Sequence, residues 1–363
     1  MQGWLPTTEL LMKQKIFFLL IAIVSVCKLT AQDALYTQFH YAPVYLNPAL
    51  TGTGKNNIRM SAITKMQWFN LYKPFKYIAG AVDYSVYDEG LRNVVNLAFA
   101  ANHTSKGYIR NTNISGVVGR SFGTNNGECS NWFLSLALQA GYTFSSVNTG
   151  EFLFIDQLDQ NGMTGGASGV DLFVNGSNKN YFDMNAGFVF TWNDIMIGGA
   201  VHHLNKPNIS FNGKPEDGKL PQKITGHIGY IYDNGNIKMK PTIIGIMQGQ
   251  SKALIAGVLF DFNEFPIQLG CWYRNNQGFS YNNAFSVGFT WKWGEGKMAS
   301  TRSNDFANRM GISYDAEFNK PGIGTTHGSL EFGIQKDVIV DDNLKCPTSS
   351  SGICNYRFPW EFF

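Results

Sequence analysis

Hydrophobic and polar positions alternate with period two along most of this chain, the pattern of strands with one apolar face. Trp132, Leu134, Leu136, Leu138, Ala140, Tyr142 and Phe144 fall on one face, with Phe133, Ser135, Ala137, Gln139, Gly141 and Thr143 on the other. Phe182, Met184, Ala186, Phe188, Phe190 and Trp192 alternate with Asp183, Asn185, Gly187, Val189 and Thr191. Phe285, Val287, Phe289, Trp291 and Trp293, and then Met310, Ile312, Tyr314, Ala316 and Phe318, repeat the arrangement. Fourteen such segments can be placed, near 57–69, 76–87, 92–103, 108–122, 131–144, 180–192, 194–204, 220–233, 236–247, 251–262, 265–274, 281–293, 310–318 and 328–338. The clearest of these are longer than the roughly 5–6 residues usual in soluble sheets. They match the roughly 9–11 residues that a tilted strand needs to cross a bilayer.

One face is apolar with aromatics near its ends, and the other is small or polar. That is the signature of a transmembrane barrel with lipid outside and a polar lumen inside. A soluble sandwich would also alternate, but with shorter strands and more Lys and Glu on its outer faces. The expected fold is therefore all-β: an outer-membrane, antiparallel β-barrel of about fourteen strands over residues 57–338. The connectors at Asp88–Leu91, Trp192–Asp194, Tyr232–Asn236 and Asn263–Pro266 are short, whereas 145–179 and 205–219 are long and polar. Short periplasmic turns and long outer loops would place both termini in the periplasm. The connector Gly294–Arg309 is the exception, long on the side expected to be short.

The amino terminus supplies a compartment. Lys13 and Lys15 precede the apolar run Ile16–Val26, and Leu29-Thr30-Ala31 then offers a small-residue cleavage site before Gln32. Residues 1–31 thus read as a secretory signal peptide, with Met12 an alternative start. Residues 32–56 are expected to form a periplasmic N-terminal lead-in, and 339–363 a periplasmic tail.

Composition sharpens this picture. Charged residues are 15% of the chain and aromatics 14%, against an average of roughly 25% charged residues in soluble domains. A surface that partly faces lipid needs fewer charges, while a small, polar lumen keeps the mean hydropathy at −0.15. The formal charge of +3 argues against a basic surface for nucleic acid. The expected environment is outer-membrane lipid.

Reaction chemistry is absent from the pattern. No Gly-x-Ser-x-Gly elbow or phosphate loop occurs. The acidic loop residues Asp156 and Asp159 do not have calcium-loop spacing. His202 and His203 are adjacent on a strand, so one should face the lumen and the other the interface. No catalytic, cofactor or metal site is expected, and the chain reads as a non-enzyme. Cys346 and Cys354 enclose a Ser/Gly-rich stretch and are a candidate disulfide, which an exported chain permits. The aromatic end, Tyr356, Phe358, Trp360, Phe362 and Phe363, is a candidate partner-binding surface; an assembly signal and a segment packed on the barrel are the alternatives.

Several local motifs occur in order. Tyr36-Thr37-Gln38-Phe39 leads to Leu46-Asn47-Pro48-Ala49, and the first strand ends in Gln67-Trp68. Gly198-Gly199-Ala200-Val201-His202-His203, Leu269-Gly270-Cys271-Trp272-Tyr273-Arg274, Gly311-Ile312-Ser313-Tyr314-Asp315 and His327-Gly328-Ser329-Leu330-Glu331 follow. From about Gln32 to Asp337 the chain resembles the PorP/SprF family of outer-membrane proteins of the Bacteroidetes. The resemblance implies a fourteen-stranded barrel of the type IX secretion system, associated in some members with gliding motility. It implies as partners secretion and motility components and a large secreted adhesin with a type IX C-terminal domain, which the barrel would help to secrete and attach to the surface. A pore or transporter for small solutes or lipids is the alternative that the same barrel could serve.

Overall fold

The computed structural model describes residues 33–54, 58–88, 93–125, 128–148, 157–159, 162–163, 178–211, 218–276, 281–295, 306–318, 322–338 and 362. The signal peptide, Cys346, Cys354 and most of the tail lie outside the described residues. Fourteen long strands are present: β1 (Ile58–Gln67), β2 (Phe75–Asp88), β3 (Asn93–Lys106), β4 (Ile109–Asn125), β5 (Glu128–Val147), β6 (Asn178–Trp192), β7 (Ile195–His202), β8 (Lys223–Tyr230), β9 (Ile237–Gln248), β10 (Ser251–Phe262), β11 (Ile267–Asn276), β12 (Tyr281–Glu295), β13 (Phe306–Glu317) and β14 (Ser329–Val338).

Each long strand pairs antiparallel with its chain neighbours, and β1 pairs with β14 from Ile58–Val338 to Gln67–Ser329. The sheet therefore closes on itself. Closure leaves no strand edge, which is what allows a sheet to stand in hydrocarbon. No described helix is long and apolar enough to cross a membrane; the crossing elements are strands.

The outward rows are those the alternation selects. Leu136, Leu138, Phe188, Phe289, Ile312 and Phe332 are exposed, while their chain neighbours Ser135, Ala137, Gln139 and Glu331 are buried. The lumen-facing side chains are buried nearly throughout, Asn96, Ser121, Ser135, Thr191, Ser286 and Ser313 among them. A wide aqueous channel would leave such a row accessible, so this interior is filled.

Two rims follow from the strand ends. At the terminal rim β1 begins and β14 ends, and the short connectors 89–92, 126–127, 193–194, 231–236 and 263–266 are found there. Asn193 takes a left-handed backbone (φ 50°) in the two-residue turn between β6 and β7, a conformation asparagine tolerates better than most residues. The opposite, loop rim carries the long connectors 148–177 and 203–222. The loop rim also carries the two-residue turns 107–108 and 249–250, so connector length does not alternate strictly between the rims. The exceptional segment between β12 and β13 belongs to the terminal rim, but 296–305 lie outside the described residues.

The lead-in segment departs from expectation. Residues 33–54 do not hang outside the barrel; they run through it. Ala34, Tyr36, Phe39, Tyr41, Val44, Leu46, Ala49 and Leu50 are all buried. The segment makes three single turns: a 3-10 turn at Phe39–Tyr41, an α-turn at Pro43–Leu46 and a 3-10 turn at Pro48–Leu50. Proline begins two of them, where its missing N–H costs nothing. Asp33 lies at the loop rim, beside His203 and Lys223. Gly54 lies at the terminal rim, beside Arg59 and Asp337. The two ends of the described chain, Asp33 and Val338, therefore sit at opposite rims rather than on one side. An even strand count constrains where strands end, not where the chain before them goes.

The outward rows have a measurable consequence. Leu138 is 59% exposed at the middle of β5, and Leu138→Arg is expected to cost about 2–4 kcal/mol of bilayer-embedded stability in a urea titration. Tyr232→Arg, at the terminal rim, is expected to cost about 0–1 kcal/mol.

Candidate functional site

The site with the densest chemistry is the contact between segment 33–54 and the lumen wall. Four groups of wall residues hold it: at the loop rim, between that rim and mid-height, at mid-height and at the terminal rim.

Between the loop rim and mid-height, five buried charges converge: Lys65 of β1, Arg274 of β11, Asp315 and Glu317 of β13, and Glu331 of β14. Lys65 Nζ bonds Asp315 at 2.9 Å and Glu331 at 2.8 Å. Arg274 reaches Asp315 at 3.1 Å and Glu317 at 3.4 Å. Three carboxylates face two cations, so the wall alone is short of donors. The internal segment supplies them. Glu331 accepts the backbone N–H of Thr37 at 2.9 Å and of Gln38 at 2.8 Å, and the Thr37 hydroxyl donates to Asp315 at 3.0 Å. Lys65 in turn donates to the Leu35 carbonyl at 2.9 Å. Trp68, just past β1, donates its indole N–H to Glu317. Buried ion pairs add little net stability, but removing one partner strands the other and costs about 3–5 kcal/mol. The network therefore specifies where the segment sits.

At mid-height Asn47 performs two tasks. Its Oδ1 accepts the Ala49 N–H at 2.9 Å and caps the Pro48–Leu50 turn. Its Nδ2 faces the carbonyls of Phe188 (2.9 Å) and Gly199 (3.2 Å) and Nε2 of His227 (3.1 Å). Reaching the wall backbone requires wall residues without side chains. A Cβ on Gly187 would lie 2.0 Å from Asn47 Oδ1. The Tyr41 ring uses the same device, since a Cβ on Gly333 would lie 2.3 Å from it.

At the terminal rim Arg59 and Asp83 form a buried pair at 2.9 Å. Arg59 also donates to the Leu50 carbonyl, and Asp83 accepts the Gly52 N–H, both at 2.6 Å.

At the loop rim Asp33 is held by Lys223 at 2.8 Å and by His203 Nε2 at 3.3 Å, while His203 Nδ1 meets Asp183 at 3.0 Å. The two histidines do not split between lumen and interface as alternation implies. His202 is buried and contacts the Leu46 carbonyl. His203 has left β7 and adopts a left-handed backbone (φ 58°), which turns it back toward the lumen. Burial disfavours its charged form, yet the hydrogen bonds and charges of Asp183 and Asp33 outweigh that and raise its pKa to about 9. Burial also opposes the charge of Asp33, but Lys223 and His203 hold its carboxyl well below the usual range. His40, on the segment itself, is buried and its ring stacks on Trp272 of the wall.

The family-motif residues cluster on this contact. Leu46 is buried, with its carbonyl bonded by Thr225. Asn47, Pro48 and Ala49 form the capped turn, Trp68 bonds the charge network, and Gln67 accepts from the Tyr77 hydroxyl at 3.3 Å. Of the aromatic tail, Phe362 is buried near the terminal rim, beside Gly229 and in one apolar cluster with Met196. That ring is a barrel contact rather than an exposed one. Tyr356, Phe358, Trp360 and Phe363 lie outside the described residues. Among the described residues no cluster of His, Cys, Asp or Glu is suited to a metal.

A closed fourteen-stranded barrel with its lumen occupied by its own N-terminal segment is an outer-membrane protein of the plugged class. Residues 29–335 match the family described as type IX secretion system membrane protein PorP/SprF. The chain belongs to that family. No curated protein matches it. Among solved structures it is similar to the CymD monoaromatic hydrocarbon channel, with a TM-score of 0.50 and 10% identity over 87% of this chain and 98% of that one. It is also similar to the P. putida toluene transporter TodX, with a TM-score of 0.45 and 9% identity over 81% and 93%. A Pseudomonas aeruginosa FadL homologue gives a TM-score of 0.42 and 10% identity over 80% and 92%. At these identities the likeness concerns the barrel fold alone.

Two outcomes follow. Asn47→Ala removes two buried amide donors and a cap, and is expected to weaken segment binding by about 2–4 kcal/mol, read as earlier thermal release of a nitroxide placed on Leu35. The His203 contact is fully present below about pH 6.5, the histidine's ordinary value, and is lost as pH rises through about 9. The mobile fraction of the same label is therefore expected to rise across that window, and to lose this step in His203→Gln.

Proposed function

We propose that this protein is a non-enzymatic outer-membrane barrel of the type IX secretion and gliding machinery. In this reading it supports the secretion and surface attachment of a large adhesin-type substrate. The observation that carries the reading is the filled lumen. Segment 33–54 occupies the barrel from rim to rim, and the inward rows are buried. A conduit for small solutes or lipids needs an open or lined passage, so the occupied interior weighs against the transporter alternative. A plugged barrel can still serve as a fixed platform, with its rims and loops offered to protein partners.

Membership of a type IX secretion family supports secretion components as partners. The two longest connectors, 148–177 and 203–222, join strands at the loop rim and support an orientation with the terminal rim in the periplasm. The loop rim is then the face that meets the surface-attached substrate.

Purification from native membranes, joined to planar-bilayer recording, tests this function. The expected result is recovery of secretion components and of a large protein bearing a type IX C-terminal domain, with no steady ion conductance from the isolated barrel. Stable conductance or selective small-solute uptake, with no protein bound, would favour the transporter.

A further inference from the structure

The wall reads the backbone of the internal segment more than its side chains. Seven main-chain groups spread along the segment are taken by wall side chains: the carbonyls of Leu35, Leu46 and Leu50, and the N–H groups of Asp33, Thr37, Gln38 and Gly52. The charged wall groups that take them, Lys65, Glu331, Arg59 and Asp83, are each at most 2% exposed. They are already paired with wall partners of opposite charge, Lys65 with Glu331 and Arg59 with Asp83. These ion pairs are made within the wall itself, and the segment adds the N–H and O–H donors that Glu331 and Asp315 of the network still lack. Beyond the backbone, four segment side chains make polar contacts with the wall: Asp33 at the rim, Thr37 with Asp315, Tyr41 with Thr290, and Asn47 at the glycine-lined wall.

We propose that the lumen is a polypeptide-binding site, filled in cis by residues 33–54 and able to accept a polypeptide segment supplied in trans. The ligand class is an extended peptide interrupted by single turns, with an Asn-Pro turn at its centre. Backbone recognition would let such a site accept segments that differ at the side chains not in contact with the wall. Paired wall charges explain how it survives release of its occupant, because no isolated buried ion is created. This proposal rests on the contacts alone and stands apart from the role in secretion.

The test keeps the full chain intact through folding. A protease site is placed between Gly54 and Ile58, the folded barrel is cut in micelles, and a fluorescent synthetic peptide of residues 33–54 is added. Barrel integrity is followed by heat-modifiable gel mobility. The labelled peptide is expected to exchange into the cut barrel and not into the uncut one. Glu331→Gln in the barrel is expected to weaken binding about tenfold or more, the scale of a hydrogen bond to a charged group. N-methylation of the Gln38 amide in the peptide should do the same to an unmodified barrel, and combining both changes should cost little more than either. The peptide variant keeps the test valid if Glu331→Gln fails to assemble. No uptake by an intact cut barrel, or uptake indifferent to both changes, would overturn the proposal.

Discussion

The Glu331 carboxylate, taking two amide protons from Thr37 and Gln38 while paired with Lys65, is the contact on which the interior depends. A carboxylate sealed inside a barrel is costly unless its lone pairs are filled. Lys65 fills part of that demand and the passing backbone the rest. Remove the segment and the wall keeps its ion pairs but loses N–H donors; remove the wall charges and the segment's backbone groups are stranded. The rest of the lumen follows from holding a peptide against that point. Glycines clear the wall for Asn47 and Tyr41, Arg59 and Asp83 secure the lower end, and the Asp33 cluster secures the upper one.

The barrel was legible in the sequence because lipid enforces it. An outward residue must be apolar, and with a side-chain period of two the row Leu134, Leu136, Leu138 states both the strand and its face. The occupied lumen was not. Residues 33–54 have no period, since three single turns separated by extended links bury side chains in several directions. The family motif at Leu46–Ala49 marked the segment as special without saying that Asn47 reaches through glycines to a strand backbone. A signal did exist in the strands. In a chain so poor in charge, Arg59, Lys65, Asp83, Arg274, Asp315, Glu317 and Glu331 all fall on inward rows. Opposite charges on the inward rows of neighbouring strands ask for an occupant or for each other, and here they have both. His203 was misassigned because alternation ends where the backbone turns left-handed.

The fold and the family speak to different questions. The likeness to hydrocarbon channels reflects how fourteen or so strands close, and at 10% identity it carries no chemistry. Family membership places the chain in type IX secretion. Between them stands the internal segment, which makes the barrel a solid body. Its ends at the two rims join the loop-rim and terminal-rim halves of the wall through one continuous peptide.

The central claim is that this peptide runs the full height of the lumen. Cysteines at Asp33 and Lys223, in a background with the native cysteines replaced, test it most directly by crosslinking in intact outer membranes. The account expects efficient linkage of that pair at the loop rim and none between Asp33 and Asp337, which lies at the terminal rim. Linkage of 33 to 337, or none of 33 to 223, would contradict it.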